Sequence, residues 1–134
     1  MNQQEFIKEV QQAILNVIKQ GCRSTAADGS CKYRGVDNTR CLVGWLINDE
    51  DYREEIEGVG VRNKFVISAL RFTPDNEQLR LLGHLQTCHD HSMVVFVNGE
   101  FVDLGFTNNF KHRIRANVRD GRIPDWCICW DRGE

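Results

Sequence analysis

Cys41, His89 and Asp90 are the residues of this chain best suited to nucleophilic chemistry. A thiol at the start of a helix has its thiolate favoured by the helix dipole. A histidine can take the thiol proton, and an acid, Asp90 or Asp103, can orient the ring. The order Cys, His, acid occurs in cysteine hydrolases, so an assembled trio would make the chain a cysteine-dependent hydrolase or transferase. The run Cys-Leu-Val-Gly-Trp-Leu-Ile at 41–47 is equally the pattern of a buried structural cysteine, the commonest fate of a free thiol. His89 stands in line with Leu82 and Leu85, as a core histidine would. The structural reading is preferred, and no catalytic residue is favoured.

His84, Cys88 and His91 fall at i, i+4 and i+7, one face of a helix long enough to carry all three. With Cys127 or Cys129 as a fourth, soft ligand they would suit tetrahedral zinc. The chain has no Cys-x-x-Cys pair, and the spacings of Cys22, Cys31 and Cys41 match no zinc module. No metal and no cofactor are expected.

Three charged groups are candidate binding surfaces. In Tyr33-Arg34-Gly35 an arginine between an aromatic and a glycine can offer its guanidinium to a carboxylate or phosphate. Its preferred partner is internal: Asp49 or Glu57, in an ion pair that locks the turn onto the acidic segment. That segment, residues 48–58, holds six acids, Asp49 and Asp51 among them, and one arginine. The last candidate is Lys111, Arg115 and Arg119, four residues apart and therefore a stripe on one helix face. It suits an acidic protein partner, or the phosphates of a nucleic acid.

Placing these groups requires mostly helices. Phe6, Val10, Ala13, Ile14 and Val17 recur at helical spacing, which predicts a helix over 3–19 closed by Gly21. Asp28-Gly29 suits the reversal of a small hairpin. Thr39 is placed to cap a short helix over 41–47, with Gly44 allowing close packing; a buried strand is the competing reading. Apolar residues from Val61 to Phe72 predict a short helix over 61–69. Thr73-Pro74-Asp75 reads as the start of a helix reaching about residue 89. Two strand-like runs flank Asn98-Gly99, a hairpin turn pair. A last helix begins near Thr107, with Phe110, Ile114 and Val118 inside. In the tail, Trp126, Ile128 and Trp130 alternate with Cys127 and Cys129 and predict a strand that extends the hairpin.

Composition bounds the answer. The 134 residues suit a single domain, 1–134, and 41% hydrophobic content can fill a core. A net charge of -2 argues against a generally basic nucleic-acid binder. No apolar run reaches membrane-span length, and the N-terminus lacks the pattern of an export signal. Free thiols in the reducing cytoplasm are expected for the six cysteines.

Cys31-Lys-Tyr-Arg-Gly, Cys41-Leu-Val-Gly-Trp-Leu-Ile, Asp51-Tyr52, Glu57-Gly58 and Leu85-Gln86-x-x-His89-Asp90 occur in that order. In this the chain resembles a group of small bacteriophage and prophage proteins, over residues 3–90. The resemblance implies a phage accessory protein acting inside a bacterial cell, where such proteins bind host machinery or block host defence. It implies no catalytic roles. The expectation is an α+β domain: three or four helices packed with a small antiparallel sheet that includes the C-terminal hairpin. Its expected function is binding and modulating a host protein or complex, in the host cytoplasm and away from membranes. A hydrolase using Cys41 and His89 is the alternative, and a nucleic-acid or small-ligand binding module the third.

Overall fold

The computed structural model describes residues 2–28, 30–92, 95–102 and 105–130. Its first element, helix α1 (Gln3–Gln20), is capped by Asn2, whose side chain accepts the Glu5 N–H, and ends at Gly21 in the left-handed conformation. Phe6, Val10, Ala13, Ile14 and Val17 are all buried. At about 1.5–3 kcal/mol for each large apolar side chain, this stripe is the main anchor of the core. Helix α2 (Lys64–Ala69) is short and capped by Asn63. Helix α3 (Asn76–Asp90) follows, and helix α4 (Phe106–Arg119) packs against it. The stacked rings of Phe106 and Phe110, 5.7 Å apart, fill their side of the core.

Helix α3 begins later than the Thr-Pro pair suggests. Asp75 is the cap: its carboxylate accepts the Gln78 N–H at 2.8 Å, and the Gln78 side chain accepts the Asp75 N–H at 3.0 Å. This reciprocal box satisfies two helix-end donors at once, which Thr73 does not do.

The expected α+β class is corrected: the fold is helical. Among the described residues the one ladder is a ribbon, β1 (Val95–Val97) against β2 (Glu100–Val102), and single bridges such as Ile47↔Leu70 make up the rest. Asn98 and Gly99 both take positive φ at its turn. Two strands of three residues form no layer on which helices can pack. The predicted Asp28-Gly29 reversal falls partly outside the described residues. Beside it Thr25 bridges Cys31, and the Asp28 carboxylate accepts the Ser30 N–H.

The tail is not a strand. Pro124 leads into a 3-10 turn, Asp125–Cys127, closed by N–H groups of Cys127 and Ile128. Gln11 of α1 donates to the Trp126 carbonyl at 2.9 Å, so the tail's polar backbone is satisfied by a helix side chain and not by β2. The alternation survives in part: Cys127 and Cys129 are buried, whereas Trp126, Ile128 and Trp130 are half-buried.

Between α1 and α2 lie more than 40 residues without a regular helix or sheet, interrupted by single 3-10 turns. The segment predicted as a helix over 41–47 is one of them, Val43–Leu46, and the backbone becomes extended at Ile47. Its geometry follows from a crossing of chains. The Cys41 N–H donates to the Tyr33 carbonyl at 3.3 Å, and a Cβ on Gly44 would land on that same oxygen. Gly44 therefore admits a passing backbone, not a packed helix. Gly44→Ala is expected to cost at least about 2 kcal/mol of stability in urea denaturation, because the atom it displaces is backbone. A neutral substitution would show that the crossing is looser than described.

Candidate functional site

The irregular segment must satisfy its buried N–H groups without a ladder. Four side chains do so. Gln20, at the end of α1, accepts the Arg40 N–H at 2.9 Å and donates to the Arg40 carbonyl at 3.1 Å. Gln86 of α3 accepts the Val43 N–H at 3.0 Å. His89, one turn further, accepts the Ser24 N–H at Nε2, 3.3 Å. Glu57 accepts the Tyr33 N–H at 2.8 Å with Oε1 and the Arg34 N–H at 3.1 Å with Oε2. Its Oε2 also takes the Tyr52 hydroxyl at 2.5 Å. The Tyr33 hydroxyl in turn donates to the Val59 carbonyl.

Arg34 completes the knot. Its Nη2 donates to the Ile47 carbonyl at 3.2 Å and to Asp49 at 2.6 Å, and its guanidinium lies 4.6 Å from the centre of the Tyr52 ring. Arg40 reaches the same Asp49 oxygen at 3.2 Å. The Arg40 and Arg34 guanidiniums hold the Asp49 carboxyl below the usual carboxylate range. The internal ion pair read from Tyr33-Arg34-Gly35 is present, with Asp49 as side-chain partner and Glu57 as backbone partner. Tyr33 and Arg34 are thereby consumed inside the molecule. Asp51 accepts from the Asn48 amide at 3.2 Å.

Some of the motif residues quoted for the phage resemblance, from three separate stretches of the chain, meet at one place. Cys31, Tyr33, Glu57, Gly58, Gln86 and Asp90 all border a cleft of about 230 Å³. Asp90 Oδ1 accepts from Gln86 at 2.9 Å and faces His89 Nδ1 at 2.8 Å. A backbone N–H can only donate, so with Ser24 on Nε2 the ring proton sits on Nδ1, pointing to Asp90. The His89 ring is fully buried, edge-to-face with Phe106 at 5.7 Å. It is a satisfied core histidine with no free nitrogen for proton transfer.

The nucleophile alternative is corrected by burial. Cys41 has no exposed surface, and its sulfur accepts the Gly44 N–H at 3.3 Å. Burial pushes its thiol pKa far up, so at neutral pH it is a thiol and not a thiolate. Asp103, the second candidate orienting acid, falls outside the described residues. Cys31, which the sequence reading left without a role, comes nearest to a reactive position. It is half-buried in the cleft, with Arg23 at 3.5 Å from its sulfur. Burial first, then the Asp90 charge, raise its pKa as well. The cleft thus holds a thiol beside Asp90, a carboxylate already supplied with a donor by Gln86.

The metal alternative is corrected too. Cys88 is buried, its pKa pushed up to about 11 by burial, and it receives the Asn117 amide at 3.5 Å. His91 lies past the end of α3 and is exposed, and His84 is half-buried. Among the described residues no group of three His, Cys, Asp or Glu side chains is close enough to hold a metal ion.

The basic stripe is partly covered. Lys111 and Arg115 both lie over the Trp130 ring, at 5.8 and 5.3 Å, and Arg119 pairs with Asp120 at 3.6 Å. What remains open is a face the charge pattern only half revealed. Phe65 on α2 keeps 62% of its surface exposed. With Ile56 and Ala69 it lines a groove of about 480 Å³ whose rim carries Asp51 and Glu55. Arg53, on the same rim, turns its guanidinium back onto the carbonyls of Glu50 and Tyr52. The acidic run flagged the rim. An apolar residue in a short amphipathic stretch carries no mark of exposure, so Phe65 was not legible.

No family model, no curated protein and no solved structure matches this chain. No helix among the described residues is long and apolar enough to cross a membrane.

The order of thiol labelling checks this arrangement. With iodoacetamide at pH 8, Cys22 and Cys31, the half-buried pair, are expected to react first and slowly. Cys41 and Cys127 are expected to react only on unfolding, in keeping with their burial. Fast native labelling of Cys41 would restore it as a nucleophile.

Proposed function

We propose that this is a phage-type accessory protein that binds and modulates a protein or complex of its bacterial host, in the host cytoplasm, and that it docks through the groove around Phe65. The observation that carries the reading is the exposure of Phe65 at 62% beside Ile56 and Ala69, under an acidic rim. An exposed aromatic in a groove is an ordinary anchor for a protein interface. The rim fixes the partner's chemistry: an apolar side chain for the groove, flanked by lysine or arginine for Asp51 and Glu55. The phage-like motif order supports the setting, that of a protein made to redirect host machinery or blunt host defence. A non-enzymatic role fits a molecule whose thiols are buried or protonated and whose His89 is committed to the core.

Nucleic acid is the weaker reading for the basic helix. Two of its three stripe cations lie on Trp130 and the third beside Asp120.

Phe65→Asp tests the groove. The residue is exposed, so the substitution is expected to leave stability within about 0.5 kcal/mol. Capture of host proteins from bacterial lysate, quantified by mass spectrometry, is expected to show a reproducible partner. Its yield should fall about tenfold or more with Phe65→Asp and stay unchanged with Arg119→Ala. A partner retained equally by Phe65→Asp would place the interface elsewhere.

A further inference from the structure

Another cleft, of about 510 Å³, shares no lining residue with the motif cleft or the Phe65 groove. It opens between the start of α1, the first two turns of α3 and the turn after α4. Its volume falls within the roughly 300–1,000 Å³ usual for small-ligand sites. The apolar wall is Phe6, Leu81 and Ile123, all buried, with the half-buried indole of Trp126. Trp126 stands at 86° to the Phe6 ring, 6.4 Å between centres, so its plane is held by packing.

The polar groups divide into two sets. Asp75, Gln78 and Gln3 belong to the fold: Asp75 and Gln78 form the α3 capping box, and Gln78 donates to Gln3 at 3.1 Å, tying α3 to α1. Arg80 and Arg122 are the open set. Arg122 gives one nitrogen to Asp120 at 3.1 Å, and Arg80 makes no ion pair among the described residues. The two guanidiniums come from different elements yet act on one neighbour. After burial, Arg80 and then Arg122 are what hold the His84 pKa below its ordinary value. Both guanidiniums line this cleft, Arg80 from α3 and Arg122 from the turn after α4, with the carboxylates of Asp75 and Glu77 in the same lining.

We propose that this cleft binds a nucleoside monophosphate, the phosphate between Arg80 and Arg122 and the base against Trp126. Guanidinium pairs suit phosphate oxygens, and an aromatic wall suits a base, whose flat face stacks at about 1–3 kcal/mol. Glu77, on the same rim, offers an acceptor for a ring amino group. A bare phosphate leaves the apolar wall unused, and an uncharged aromatic leaves Arg80 without an ion pair.

The test is titration of the whole chain with AMP, CMP and UMP, with inorganic phosphate as control, followed by tryptophan fluorescence and calorimetry. At least one nucleotide is expected to bind with a sub-millimolar Kd, weakening as salt rises, and inorganic phosphate far more weakly. Arg80→Ala and Arg122→Ala, both at exposed positions, are each expected to weaken binding about fivefold or more, near 1 kcal/mol. Trp126→Leu should do the same. If it proves unstable through its Phe6 contact, the two arginine variants decide. The NMR titration of the His84 ring supplies an independent readout. A bound phosphate offsets the guanidinium field, so the His84 pKa must move up. The proposal is overturned if no nucleotide binds at several millimolar, if phosphate alone binds as tightly, or if neither arginine variant changes the affinity.

Discussion

The Glu57 carboxylate is the group on which the irregular part of this protein depends. It takes the N–H groups of Tyr33 and Arg34 and the hydroxyl of Tyr52. A charged acceptor of this kind contributes roughly 1.5–3 kcal/mol per bond, and leaving its donors buried and unpaired costs as much again. Without it, Tyr33 and Arg34 have no ladder to return to. The Tyr33 carbonyl could then no longer be held against Gly44 and the Cys41 N–H. Gln20, Gln86 and His89 do for Arg40, Val43 and Ser24 what Glu57 does for the Tyr-Arg pair. Helices α1 and α3 thus supply, through side chains, the hydrogen bonds that a sheet would have supplied through backbone.

This arrangement explains what was legible in the sequence and what was not. Helices α1, α3 and α4 follow from local periodicity and punctuation; the spacing marks Phe110 and Ile114 as inner, whereas Val118 is half-buried and the buried Phe106 and Leu79 went unmarked. The pairing of Arg34 with Asp49 was also readable, from opposite charges close in sequence. The class of the fold was not. Short apolar runs at 41–47 and in the tail fit strand, helix or neither, and what decides is the partner of the backbone. Those partners are Gln86, 43 residues from Val43, and Gln11, 115 residues from Trp126. No local pattern encodes such a bond. The structural reading of His89 was legible from its place in line with Leu82 and Leu85, but its partner Ser24, 65 residues away, was not.

The chemistry that the residue types suggest is therefore spent on architecture. Cys41 is sealed beneath the crossing at Gly44, His89 holds Ser24, and Arg34 holds Ile47 and Asp49. Function moves outward to faces that the knot holds in place and does not use. The acidic groove at Phe65 begins at Asp51 and Ile56, on either side of Tyr52 and next to Glu57 in the chain. Its shape is thus tied to the same carboxylate that orders the interior.

Native-state hydrogen exchange at Ser24, Tyr33, Arg34, Arg40 and Val43 tests this account most directly. Their amides are bonded to side chains in a segment without regular structure, where fast exchange is the ordinary expectation. The account predicts opening free energies for Tyr33 and Arg34 within about 1 kcal/mol of those for Val10 and Ile14 in α1. Exchange at the rate of an unprotected loop would contradict it.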